Sequence, residues 1–119
     1  MKRTGPTNLQ LKSLISELRK LSSKEKCRIW KRIAEDLEKP TRKRREVNIN
    51  RLNMHTENGE TVIVPGKVLG IGNLDHKINV AAFRFSEEAM EKINKIGKAI
   101  KIEELMKSNP KGKGVKIIG

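Results

Sequence analysis

Apolar residues recur along this chain with two different periods, and the change between them divides it. Leu11, Leu14, Ile15, Leu18 and Leu21 stand three and four apart, which places them on one face of a helix. Thr7 and Gln10 ahead of them have capping-box spacing, so the pattern predicts a helix from about Asn8 to Leu21. Ser22 and Glu25 repeat that spacing and predict a second helix, with Cys27, Trp30, Ala34 and Leu37 on one stripe and Ile29 and Ile33 beside it. Lys39-Pro40 ends it, because a residue before proline avoids the α region. So short a join makes an antiparallel or angled helical pair. Lys24, Lys26, Arg28, Lys31 and Arg32 fall largely off the apolar stripe.

Beyond the second helix the period shortens. Val47-Asn48-Ile49 alternates and predicts a strand that turns Asn48 away from its apolar side. Asn58-Gly59 is a hairpin signal, expected to join the Val47–Met54 segment to an apolar strand at Val62–Val64. Pro65-Gly66 then predicts a turn. Gly66, Gly70 and Gly72 punctuate the stretch that carries Lys67 and Lys77; such glycines permit positive φ or the close approach of another chain. Val80 to Phe83 is a second apolar run of strand length. Two strands held apart by a glycine-rich, lysine-bearing loop would offer N–H and ammonium groups to an anion.

Ser86-Glu87-Glu88 opens a third helix, with Ser86 as its cap and acids in its first turn. Ala89, Ile93 and Ile96 form its inner stripe, with Met90 alongside, and Gly97 ends it. Ile100 and Ile102 predict a brief extended segment, and Glu103 to Lys107 a turn or two of helix stopped at Asn109-Pro110. Lys111-Gly112-Lys113-Gly114 reads as a mobile basic loop, and Val115 to Ile118 as a last strand. That strand is expected to pair into the sheet, since left alone it would be an adhesive edge. The class is α/β, a helical pair followed by a core with a small mixed sheet. A length of 119 residues fits one domain, divided into a basic arm (1–6), the helical pair (7–39) and the α/β core (40–119).

Charge narrows the function. The formal net charge is +13, and it is uneven: residues 1–45 hold 15 Lys/Arg against 5 Asp/Glu, and residues 46–119 hold 12 against 9. Excess charge of one sign repels itself, so a polyanionic partner is the economical explanation. Thr41-Arg42-Lys43-Arg44-Arg45 is the densest run, pinned between a helix end and a strand, and phosphate contact is the reading taken for it. A helical pair with a basic face also invites comparison with a helix-turn-helix DNA reader. Its exposed positions, however, carry Lys, Arg and Glu, which suit phosphates better than base edges. With no Tyr, one Trp and two Phe, the chain lacks the aromatic platforms of proteins that stack single-stranded bases.

Other chemistry is thinly represented. The single cysteine, Cys27, cannot form an internal disulfide and sits among apolar helix positions, as a core residue would in a reducing compartment. Asp75-His76 has no recognisable nucleophile beside it and is expected to brace a turn or meet RNA. The segment Gly70 to Asp75 fails the dinucleotide fingerprint at its last position. No catalytic residue, metal ligand or cofactor is expected. No apolar run reaches the ~20 residues of a membrane span, and the start lacks the apolar region of a signal peptide, so a cytoplasmic protein is expected.

PGKVLGIGNLDHKINVAAFRFSEEA, Pro65 to Ala89, resembles the signature of a ribosomal protein family, and KRTGPTN, RKRREVNI and NPKGKGV match it too. The family is that of the eukaryotic-type large-subunit protein numbered eighteen, whose bacterial relative is numbered fifteen. The resemblance covers essentially the whole chain, which looks like an archaeal-length member without the long basic extension of eukaryotic ones. Asn79 stands where a β-former would be expected. The resemblance implies an irregular superhelix of β-β-α units after an N-terminal helical segment. It also implies a structural, non-catalytic role against large-subunit rRNA and neighbouring ribosomal proteins, as a monomer within the ribosome. The candidate RNA-binding residues are Lys2, Arg3, Arg42, Lys43, Arg44, Arg45, Asn48, Lys67, Lys77, Lys111 and Lys113, with Gly66, Gly70 and Gly72 for turns or backbone approach. They are expected to form two electropositive faces, one from Lys2, Arg3 and Arg42–Arg45, the other from Lys67, Lys77, Lys111 and Lys113. A basic adaptor for acidic proteins, or a DNA-binding regulator, is the alternative.

Overall fold

The structure, a computed structural model, describes residues 9–39 and 45–118. Helix α1 (Leu9–Glu25) runs a turn beyond the expected end at Leu21. The break falls instead at Lys26, whose φ of 56° lies where non-glycine residues rarely go. Cys27 is extended (φ −111°, ψ 120°) and stands as the N-cap of α2 (Arg28–Leu37). Ser22 therefore does not open a helix. Its hydroxyl donates to the Cys27 carbonyl at 2.7 Å, and the Cys27 N–H donates back to the Ser22 carbonyl at 3.1 Å. Those two bonds close the elbow between the helices.

Among the described residues five strands follow: β1 (Arg45–Asn48), β2 (Thr61–Leu69), β3 (Asn79–Phe85), β4 (Lys98–Lys101) and β5 (Val115–Ile117). Their order is β1-β2-β3-β4, and β5 lies along the β1 side of β2. There β1 takes the Gly66–Leu69 half of β2 and β5 takes the Thr61–Ile63 half. Every pairing among the described strands is parallel, so the small sheet is not mixed. The last strand does pair into it, as expected. Asn58-Gly59 is a turn, with Gly59 at φ 90°, but it joins no hairpin, because parallel strands need a crossover. The crossover is α3 (Ile49–Met54), formed from residues expected to extend the strand. Pro65-Gly66 likewise does not end β2. The register against β3 slips there, so that Val64 faces Ala82 and Lys67 faces Arg84. Three steps on β2 match two on β3, a bulge, which is where a sheet tolerates proline.

The two faces of the sheet feed two cores. Ile63 and Ala81 join Leu11, Leu14, Leu18, Trp30, Ile33 and Leu37 of the helical pair, together with Ile102, Leu105 and Met106 of α5 (Ile102–Ser108). Val62, Val64, Val80 and Ala82 join Ile49 and Leu52 of α3, and Ala89 and Ile93 of α4 (Glu87–Ile96). A parallel sheet is covered on both faces, which is why β2 and β3 read as unbroken apolar runs. Each fully buried Val, Leu or Ile contributes roughly 1.5–3 kcal/mol. The Ser86 hydroxyl accepts from the Ala89 N–H at 3.1 Å and caps α4, as its spacing predicted. Ile102 begins α5 rather than continuing β4, because Glu104 accepts the Lys101 N–H at 3.2 Å and closes the first turn.

Candidate nucleic-acid interface

Some cations are consumed by the fold itself. The Lys92 ammonium on α4 donates to the carbonyls of Gly70 and Gly72 at 2.7 and 2.8 Å, with Glu88 at 3.8 Å. Lys116 on β5 donates to the His55 carbonyl at 3.0 Å and lies 3.3 Å from Glu60. Arg19 meets Glu38 at 2.5 Å, joining α1 to the end of α2, and Lys39 meets Asp36 at 3.1 Å. An exposed pair such as Arg19–Glu38 contributes only about 0–1 kcal/mol. The effect of these contacts here is to remove four lysines and arginines from those available to a partner.

The glycine-rich loop between β2 and β3 is occupied internally. A Cβ on Gly70 would fall 2.5 Å from a Glu88 carboxylate oxygen, and one on Gly72 would overlap the Asn50 side-chain amide. Gly72 has φ 106°, and Asn50 N–H donates to the neighbouring Ile71 carbonyl at 3.1 Å. The loop thus wedges between α3 and α4 and turns two carbonyls towards a lysine. Gly66 lies buried within β2, opposite Arg45.

Asp75 and His76 fasten the same loop to α3. His76 Nδ1 lies 2.8 Å from Asp75 Oδ1, and its Nε2 lies 2.7 Å from the Thr56 hydroxyl, which donates to the Leu52 carbonyl at 2.7 Å. The Asp75 N–H donates to Asn53 Oδ1 at 3.0 Å, and Asn53 Nδ2 reaches Asp75 Oδ2 at 3.4 Å. The hydrogen bond from His76 foremost, and then that from Asn53, hold the Asp75 carboxyl below its ordinary value. Glu60 is lowered as well, first by the Glu57 N–H it accepts at 2.6 Å, with Lys116 adding to the effect. This constellation is a brace, one of the two roles its sequence suggested.

The remaining candidates are scattered over the sheet. Lys67 lies in register between Glu46 of β1 and Arg84 of β3. Arg84 sits over the Phe83 ring, 5.2 Å from its centre. Like charges on neighbouring strands oppose each other, so Lys67 and Arg84 together favour an anion. Arg84 escaped sequence reasoning because its juxtaposition with Lys67 depends on the bulge. Lys77 is at the other end of the sheet: its N–H donates to Asn58 Oδ1 at 3.0 Å, two residues before Asn79, which faces Thr61. Lys67 is six residues further along β2, roughly 20 Å away at strand rise. The four lysines expected on one face are therefore not brought together.

Lys111 and Lys113 belong with the helical elbow. Cys27 Sγ lies 3.1 Å from the Lys111 carbonyl, and Trp30 Nε1–H donates to the Pro110 carbonyl at 2.7 Å. Asn109 accepts the Lys113 N–H at 3.3 Å and donates to its carbonyl at 2.9 Å. A loop expected to be mobile is thus tied down at both ends. Arg45 opens β1, and Asn48 stands as the N-cap of α3 with its Oδ1 buried and unpartnered. Lys2, Arg3, Arg42, Lys43 and Arg44 lie outside the described residues.

Known proteins give this arrangement a context. Residues 10–101 match the family described as ribosomal proteins 50S-L15 and 50S-L18e with their 60S counterpart. The chain is 49% identical over 113 residues to the large ribosomal subunit protein eL18 of Methanothermobacter thermautotrophicus, covering 94% of this chain and 93% of that one. It is 47% identical over 113 residues to the eL18 of Methanoregula boonei, with the same coverage. With that of Sulfurisphaera tokodaii it shares 52% over 95 residues, 80% of this chain and 77% of the relative.

Proposed function

The chain belongs to the family of ribosomal proteins 50S-L15 and 50S-L18e and their 60S counterpart, and from that membership we propose that it is a structural constituent of the large ribosomal subunit. It binds large-subunit rRNA through basic side chains, adjoins other ribosomal proteins as a monomer, and catalyses no reaction. Its place is the cytoplasmic ribosome. The observation that carries this reading is the sorting of its cations. Those that the fold uses are paired with carboxylates, some also donating to backbone carbonyls, whereas Lys67, Lys77, Lys111 and Lys113 are exposed with no ion pair among the described residues. An excess of +13 held on a packed α/β frame suits the phosphates of a folded RNA. A-form helices hide their base edges, so recognition is by shape and backbone.

Sedimentation of a cell extract tests the assignment: the chain should travel with large-subunit particles and be scarce at the top of the gradient. In binding to protein-free large-subunit rRNA, engagement of about six to eight phosphates gives a slope of log affinity against log salt of roughly −4 to −7. A slope shallower than about −2, or absence from the particles, would overturn the reading.

A further inference from the structure

Among the described residues, a cluster of unpaired positive charge lies where the 109–114 loop docks on the helical elbow. Three contacts fix that docking. Trp30, fully buried in the core, sends its one N–H out to Pro110; Cys27 meets the Lys111 carbonyl; and Gly112 packs so closely on Ile29 that a Cβ would lie 2.7 Å from its Cγ2. Gly112 takes φ 64° to do so. Docking brings the backbone at Lys111 and Gly112 against Cys27 and Ile29, and Lys26 and Arg28 flank Cys27 in sequence. Arg28 then continues along α2 into Lys31 and Arg32, one turn on, lining an open groove of about 750 Å³. All six side chains are exposed, and none has an ion-pair partner among the described residues. The acids within reach by sequence are Glu25, half-buried at the end of α1, and Glu35 and Asp36 further along the groove, where Asp36 already pairs with Lys39. Lys26 is the only non-glycine residue held at positive φ among those described, the conformation in which helices commonly end.

We propose that Lys26, Arg28, Lys31, Arg32, Lys111 and Lys113 form one phosphate-binding face, assembled by docking of the C-terminal loop on the helical elbow, and that it grips the sugar–phosphate backbone of a folded RNA. The proposal rests on the rRNA reading above and gives it a place on the molecule. Two arginines one turn apart on a rigid helix offer forked donors to phosphate oxygens. The lysines of the loop and elbow add point charges beside them. A single strand of phosphates matches this better than base edges, since no Asn, Gln or Ser stands among the six.

The test compares two variants of the full chain that each lose four positive charges. One is Lys26→Ala/Arg28→Ala/Lys111→Ala/Lys113→Ala, and the other is Lys95→Ala/Lys98→Ala/Lys101→Ala/Lys107→Ala, from exposed positions outside the face. Binding to protein-free large-subunit rRNA is measured against salt. The first variant should lose about 3–4 from the magnitude of the slope and about tenfold or more in affinity, and the second less than about 1 from the slope. Equal losses in the two would overturn the face and leave rRNA binding standing. Failure of the unaltered chain to bind would overturn both. Retained rRNA affinity with lost binding to polyglutamate would assign the face to an acidic protein, against the proposal. Should the first variant melt without cooperativity, Lys111→Ala/Lys113→Ala alone should take about 2 from the slope, and no change there would count against the face.

Discussion

Replacing Gly72 by alanine decides whether the glycine-rich loop is built for the protein's own packing or for the approach of a partner. Gly72 has φ 106°, where a side chain costs about 1–2 kcal/mol. The new methyl would also overlap the Asn50 amide and lie 2.7 Å from the Asn50 backbone nitrogen. The amide can rotate away, but the nitrogen cannot move without stretching the bond it donates to Ile71 at 3.1 Å. Such overpacking costs about 1–3 kcal/mol, and the stiffer unfolded chain returns about 0.4–1 kcal/mol. The net expectation is a loss of about 1–5 kcal/mol, centred near 3. Gly59 supplies the control, since it has φ 90° and nothing within 4 Å of where a Cβ would stand. Gly59→Ala should therefore cost about 1 kcal/mol, strain alone. Urea unfolding followed by the fluorescence of Trp30, the single tryptophan, measures both without RNA. Equal losses in the two variants would refute the packing argument. A Gly72→Ala protein of full stability that had lost rRNA affinity would return the glycine to the interface.

Two further perturbations probe the same frame. Trp30→Phe strands the Pro110 carbonyl and leaves a void in the helical core; a loss of about 2–4 kcal/mol in urea unfolding is expected, with faster amide exchange in residues 109–114, and unchanged exchange there would show that the loop is held by other means. Asp75 is held below its ordinary value of 3.8, so its contribution to stability is present above that pH and is lost as pH falls through the lower folded-state value. Asp75→Asn should accordingly be less stable than the unaltered chain at pH 6, with the difference closing below pH 3.8; a gap that persisted in acid would implicate something other than the carboxylate.

Helices were legible in this sequence wherever one stripe faces one core. Leu11, Leu14, Ile15 and Leu18 all lie buried on α1, and periodicity alone finds them. The Ser22-x-x-Glu25 spacing misled because it fits a helix interior as well as a helix start. The boundary moves to Lys26 through a pair of bonds across the elbow, which no local pattern announces. Val47-Asn48-Ile49 was too short to separate a strand from the helix after it, although Ile49 and Leu52, three apart, both face one core. Parallel pairing was hidden for a different reason: register is set by contacts between distant segments, and Asn58-Gly59 makes its turn whichever way the chain returns. The charge excess was plain from composition. Which lysines it leaves free was not, since nothing local in the sequence says that Lys92 meets the carbonyls of Gly70 and Gly72 while Lys67 stays exposed on β2.

The same cations should respond to salt with opposite signs in two measurements. Lys26, Arg28, Lys31 and Arg32 are borne by a helical pair that also covers Ile63 and Ala81 of the sheet, so the basic surface cannot be shed without exposing a core. In the isolated chain these charges repel one another, and burial of the helical stripe must offset that repulsion. Raising ionic strength from about 0.05 to 0.5 M shortens the reach of charge from over 10 Å to under 8 Å. The free protein should therefore melt at a higher temperature in the stronger salt while its hold on rRNA weakens by orders of magnitude. If the surface cations were instead neutralised by the protein's own acids, salt would screen attraction and lower the melting temperature. A melting temperature that falls with salt would thus deny the chain its uncompensated face, whatever the RNA does.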